Sequence, residues 1–160
     1  MDVFDEELLH FWKSLNKCRV KYIMVGGVAT NLHGYQRTTE DIDIWIKDDL
    51  ENRKSLRSAF NEYGLGDLEQ LEGMQFITGW TYFHLNNGMR LDVITDLRGL
   101  EQNRFDECRE LSSVAVTFDV EVPFLHINHL IQAKKATDRP KDKIDVAMLQ
   151  KINEIQNGQH

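Results

Sequence analysis

Apolar residues recur at helical spacing near the start of the chain, where Leu8, Leu9, Trp12 and Leu15 mark a helix over residues 5–17. The run KYIMV then predicts a short buried strand that enters Gly26-Gly27. Residues 28–33 predict a short helix stopped by Gly34, a residue suited to the position just past a helix end. DIDIWI, residues 41–46, alternates and predicts a strand. From Leu50 to Tyr63, apolar positions 56, 59, 60 and 63 predict an amphipathic helix ended by Gly64. MQFITG, TYFHL and MRLDVIT predict three β segments, the last two joined by the hairpin signal NNG. Residues 97–110 read as helical or irregular, and VAVTF and VEVPF as strands or a strand with a turn. Two closing helices are expected, at about 126–137 and 140–155. In the second, Ile144, Met148, Ile152 and Ile155 form an apolar stripe and Pro140 fits the first turn. The order of elements is α+β with a mixed sheet, not a series of βαβ units.

Two carboxylates interrupt this pattern. Along a strand Asp41, Asp43 and Trp45 share one face while Ile42, Ile44 and Ile46 share the other. The isoleucines are expected to face a helical layer. The aspartates are then left on the open face, roughly 6.6 Å apart along the backbone. RLDVIT sets Asp92 between Leu91 and Val93 in the same manner. If the two strands are neighbours, three carboxylates form one cluster, an all-oxygen site of the kind hard divalent cations prefer. The plainer reading of each aspartate is a solvated strand residue.

Gly26-Gly27, between a strand and a helix start, lets backbone approach a ligand closely. It also suits a tight strand-to-helix turn with no ligand. No Gly-Lys-Ser/Thr follows, and the G-x-G-x-x-G spacing is absent, so neither a Walker loop nor a dinucleotide fingerprint is present.

Composition narrows the classes. At 160 residues, 41% hydrophobic and 28% charged, the chain fits one soluble globular domain. Its net charge of −7 argues against broad nonspecific binding of nucleic acid. Cys18 and Cys108 are far apart and in no metal-ligand spacing, as expected of a reduced intracellular protein. No run approaches the roughly 18 apolar residues that span a bilayer. The start, MDVFDEELLHFW, is acidic and unlike a signal or transit peptide, so a cytoplasmic location with no membrane association is expected.

Taken in order, VGG, RTTEDID and LDV resemble the nucleotidyltransferase superfamily with the polymerase-β-like fold. The tail LIQAKKATDRPKDKID resembles the closing helices of its compact bacterial branch, which includes nucleotidyltransferase toxins of the abortive-infection type. The resemblance spans about residues 20–150. It implies a single nucleotidyltransferase domain over residues 1–160, with a mixed sheet, helices on one side and closing helices at about 126–155. Asp41 and Asp43 match the paired metal ligands and Asp92 the third acid, as catalytic groups holding two Mg²⁺ ions. Gly26 and Gly27 match glycines that contact nucleotide phosphate. Arg37 and Thr39 fit an Arg-x-Thr-x-Asp lead-in. Lys134, Arg139 and Lys141 fit the basic set of the closing helices, although KKATDRPKDK alone also reads as a solvated connection.

The activity implied is Mg²⁺-dependent transfer of an NMP from an NTP, ATP for example, to a hydroxyl acceptor with release of pyrophosphate. The acceptor would be a small molecule, a tRNA end or a protein side chain, and a homodimer or an antitoxin partner could complete the site. The competing reading is a non-catalytic binding module of the same fold, such as a toxin–antitoxin component. His126 and His129 are expected to have surface or capping roles rather than to bind metal. Trp45 and Trp80 are expected to pack rather than to stack on a base.

Overall fold

The computed structural model describes residues 2–158. Among these residues six strands, β1 (Tyr22–Val25), β2 (Asp41–Ile46), β3 (Trp80–His84), β4 (Arg90–Ile94), β5 (Ser113–Thr117) and β6 (Val120–Phe124), form one sheet in the order β3-β4-β2-β1-β6-β5. The sheet is mixed. β2 runs parallel to β4 and β1 parallel to β6, while β1–β2, β3–β4 and β5–β6 are antiparallel. The accompanying α-helices are α1 (Glu6–Lys17), α2 (Gly26–Leu32), α3 (Leu50–Tyr63), α4 (Phe105–Glu110), α5 (Ile127–Thr137) and α6 (Pro140–Asn157).

Local chemistry sets the helix ends. Asp5 and Asp49 cap α1 and α3 by accepting from the amides of Leu8 and Asn52, and Gly64 ends α3 in the left-handed conformation. His126 caps α5, its Nδ1 accepting from the Asn128 amide at 3.1 Å, in line with the capping role expected of it.

The isoleucine face of β2 is the covered one. Ile42, Ile44 and Ile46 are fully buried. On this face Tyr22 of β1 stacks on Trp12 of α1, and Phe83 of β3 meets Phe60 of α3 edge-on. Burying a side chain of this size contributes roughly 1.5–3 kcal/mol, so this layer carries much of the fold's stability. The opposite face is rimmed rather than covered. At one end Trp45 packs edge-on against Phe105 of α4 and donates its indole N–H to the Thr95 carbonyl. Trp45 is therefore a core residue. At the other end α5 and α6 enclose a cavity with the ends of β2 and β4.

Two expectations are corrected. MQFITG is not a strand; residues 74–79 form a loop. Arg53 of α3 donates to the carbonyls of Leu71 and Met74, and its guanidinium lies 4.3 Å from the Phe76 ring centre. The segment is held to a helix by side-chain bonds instead of pairing with a strand. In α6, Ile144 (57% exposed), Met148 and Ile155 face solvent. The buried stripe is Asp142, Asp145 and Leu149. Cations before the helix and on neighbouring segments donate to these acids, so α6 docks through charge together with Leu149, Val146 and Ile152; of the expected apolar stripe, Ile152 alone packs against the core.

Candidate active site

β2 and β4 lie side by side in a register that pairs Asp43 with Asp92 and Asp41 with Arg90. Directly opposed residues share a face, so all three acids stand on the open side of the sheet. They form the floor of a cavity of about 580 Å³. Gly26, Gly27, Arg37, Thr39, Lys134, Arg139 and Lys141 line the same cavity. The structure thus gathers every site residue singled out from the sequence around one space, from stretches far apart in the chain.

The glycine turn is shaped by the acids. Gly26 has φ +72°, and a methyl group in place of its hydrogen would overlap the Asp43 carboxylate. At Gly27 an added methyl would lie 2.7 Å from Thr39 Oγ1 and 3.3 Å from Arg37 Nη2. Backbone therefore comes close to the lead-in loop and to the metal-ligand candidates because neither position carries a side chain.

Acids and cations share the cavity lining. Asp43 is raised to about 7, first by burial, then by its hydrogen bond with Asp92 and the nearby charges of Asp92 and Asp41; Lys134 pulls the other way. Asp92 is engaged as well, accepting from Arg90 Nε at 2.8 Å. On the helical wall, Lys134 Nζ and Arg37 Nη2 meet the same oxygen of Asp145, at 2.8 and 3.1 Å. Asp145 is buried, so one carboxylate locks two cations from distant segments into the cavity wall. Asp142, also buried, accepts from Arg139 Nε at 2.6 Å, Arg139 Nη2 at 3.2 Å and Thr137 Oγ1 at 2.7 Å. Burial works against its charge, but the bonds from Arg139 and Thr137 prevail and lower its pKa to about 2. Lys141 has no ion-pair partner among the described residues.

Asp142 and Asp145 are the residues that sequence reasoning missed. Their signal was present as an i, i+3, i+7 stripe with Leu149, hidden because its first two members are acidic.

Among the described residues no three His, Cys, Asp or Glu side chains come close enough to make a ready-formed metal cage. The donor set on the cavity floor nevertheless suits a hard divalent cation. It offers only carboxylate oxygens, and the Asp43 carboxyl is held in contact with Asp92 at the cost of its own ionisation. A cation at this point would remove that repulsion.

Solved structures share this architecture. A nucleotidyltransferase candidate from Thermotoga maritima aligns over 94% of this chain and 88% of its own, with a TM-score of 0.54 at 16% identity. An antigenic nucleotidyltransferase-like protein from Paracoccidioides brasiliensis aligns over 93% of this chain and 75% of its own, with a TM-score of 0.57 at 14% identity. The chain has the nucleotidyltransferase fold. No protein-family model matches it, and no curated protein matches it by sequence. At such low identity these neighbours speak to the nucleotidyltransferase fold alone. The chemistry rests on the cavity itself. No helix among the described residues is long and apolar enough to cross a membrane.

Proposed function

We propose that the chain is a Mg²⁺-dependent nucleotidyltransferase that moves an NMP from an NTP to a hydroxyl acceptor and releases pyrophosphate. One observation carries the reading: three carboxylates on two parallel strands floor a cavity that Lys134, Arg37, Arg139 and Lys141 also line. Acids and cations lining one cavity complement a polyphosphate bound with metal ions.

Asp41 and Asp43 would hold two Mg²⁺ ions, with Asp92 as base or further ligand. When bound, the ions would neutralise the triphosphate and lower the pKa of the acceptor hydroxyl. Gly26 and Gly27 leave bare backbone where phosphate must approach, and Arg37 and Thr39 brace that turn. Asp92 takes the hydroxyl proton as the acceptor oxygen bonds to the α-phosphorus. The bond from that phosphorus to the departing pyrophosphate breaks in the same displacement. Lys134, Arg139 and Lys141 offset the charge gathering on the leaving group. Asp145 and Asp142 act as positioning residues, since they work through the cations they hold.

The resemblance of LIQAKKATDRPKDKID to the closing helices, with Lys134, Arg139 and Lys141 on the cavity, supports a place in the compact branch that includes the abortive-infection toxins, with all of residues 1–160 as one catalytic unit in the cytoplasm. A second reading has its own observation. The outward Ile144, Met148 and Ile155 of α6 favour a protein contact, such as an antitoxin or a second copy, and a non-catalytic module would need no more than that. The two readings part in one assay. Protein, Mg²⁺ and each labelled NTP are incubated with a cell extract, beside the Asp92→Asn variant. Label transfer and pyrophosphate release by the wild type alone are expected; equal label in both proteins would remove Asp92 from the mechanism.

A further inference from the structure

Beyond the cavity, the carboxylate face of the sheet continues onto β3 with an unusual surface. Tyr82 is the direct cross-strand partner of Asp92, and Trp80 and His84 share its face. Trp80 is 43% exposed, where packing was expected of it, and Tyr82 is 51% exposed. The Arg90 guanidinium lies 4.4 Å from the Tyr82 ring centre and 5.5 Å from that of Trp80, and its Nε holds Asp92. Exposed aromatic rings interleaved with arginine, one strand from Asp92, make a stacking surface.

We propose that this Trp80–Arg90–Tyr82 surface is the acceptor platform and that it takes a nucleoside unit, whether free or at the end of an RNA strand. The assignment rests on the nucleotidyltransferase reading of the neighbouring cavity. Three arguments favour a nucleoside over other hydroxyl acceptors. A base has two flat faces, and stacking on rings and guanidinium uses one whatever the base identity. Its sugar then carries the hydroxyl off the ring, toward the neighbouring strand that bears Asp92. A tyrosine side chain carries its hydroxyl on the ring, so stacking would keep that group over β3. A saturated aminocyclitol has no flat face to stack. The chain's net charge of −7 and the single arginine here fit a short terminal unit rather than a long tract of phosphates. Arg90 touches both the platform and Asp92, so a seated acceptor and the proton acceptor are aligned by one side chain.

The tryptophans allow a test that needs no turnover. Trp12 and Trp45 are fully buried, which leaves Trp80 as the accessible reporter. Adenosine and a tetraribonucleotide with a free 3′-hydroxyl are titrated separately against the full chain, without Mg²⁺ or NTP, while indole fluorescence is followed. Quenching is expected with both. Tyr82→Ala should weaken it about tenfold or more, and Tyr82→Phe, which keeps the ring, should restore it. Tighter binding of the oligonucleotide than of adenosine identifies a strand end as the source; equal binding identifies a free nucleoside. No quenching by either probe at millimolar concentration overturns the platform, as does quenching that Tyr82→Ala leaves unchanged. Quenching that survives while the wild type transfers no label would overturn the catalytic reading and leave the platform standing.

Discussion

Asp43 and Asp92 stand directly opposite each other on neighbouring parallel strands, on the one face of the sheet that helices do not cover. The burial of Asp43, with Asp92 beside it, has a thermodynamic signature. The folded-state pKa of Asp43 is about 7 against an ordinary value of 3.8, so the folded chain binds this proton more tightly than the unfolded chain does. The stability linked to it is complete below about pH 4 and is lost as pH rises through about 7. Metal-free wild type is expected to lose stability across that window, and Asp43→Asn is not. Near pH 8 the variant should be the more stable protein, by roughly 1–3 kcal/mol, while losing nucleotidyl transfer. Thermal unfolding in EDTA at a series of pH values checks this; parallel curves for the two proteins would mean that neither burial nor the neighbouring acids perturb Asp43.

Asp142 should behave in the opposite sense. Its folded pKa of about 2 lies below the ordinary 3.8, so its contribution is present above about pH 4 and disappears as pH falls through about 2. Asp142→Asn leaves Arg139 and Thr137 short of an acceptor and is expected to cost about 1–3 kcal/mol at neutral pH. The difference from wild type should shrink towards zero in acid. Urea unfolding at about pH 7 and near pH 2 measures both ends, and a difference independent of pH would point to lost packing instead of lost charge.

Gly26→Ala combines two penalties at one position. The left-handed backbone there costs a residue with a Cβ about 1–2 kcal/mol, and the added methyl must displace the Asp43 carboxylate. Reduced stability is expected together with near-complete loss of transfer activity. Gly34→Ala shares the positive φ but meets only a methyl of Ile152, at 3.7 Å, and should lose stability alone. Equal activity losses in the two variants would remove the special role of Gly26.

Part of this arrangement was legible in the chain. The alternation of DIDIWI and LDV determined which side of each strand carries acid, because side chains on a strand have no third direction. The NNG turn determined the β3–β4 hairpin, and the spacing of Leu56, Phe60 and Tyr63 determined the face that α3 buries. These are local effects, and local sequence carries them. Whether β2 and β4 would be neighbours was not a local matter. Between Ile46, where β2 ends, and Arg90, where β4 begins, lie α3, a loop held by Arg53 and the whole of β3. Their pairing was decided by which apolar faces could close over one core.

The sequence by itself determined most of the elements, the face on which each acid stands and, through a resemblance spread over short motifs, the residues that line the cavity. The tertiary structure decided what those residues meet. It placed Asp92 against Asp43, gave Asp145 the two cations Lys134 and Arg37, and turned Ile144, Met148 and Ile155 outward. The apolar stripe of α6, Ile152 apart, misled for a physical reason. Periodicity shows that a helix has two faces, but the choice of the buried one depends on what surrounds it. Here the surroundings offer Arg139, Lys134 and Arg37, and a buried carboxylate with charged hydrogen-bond donors is accepted where an unpaired one would not be.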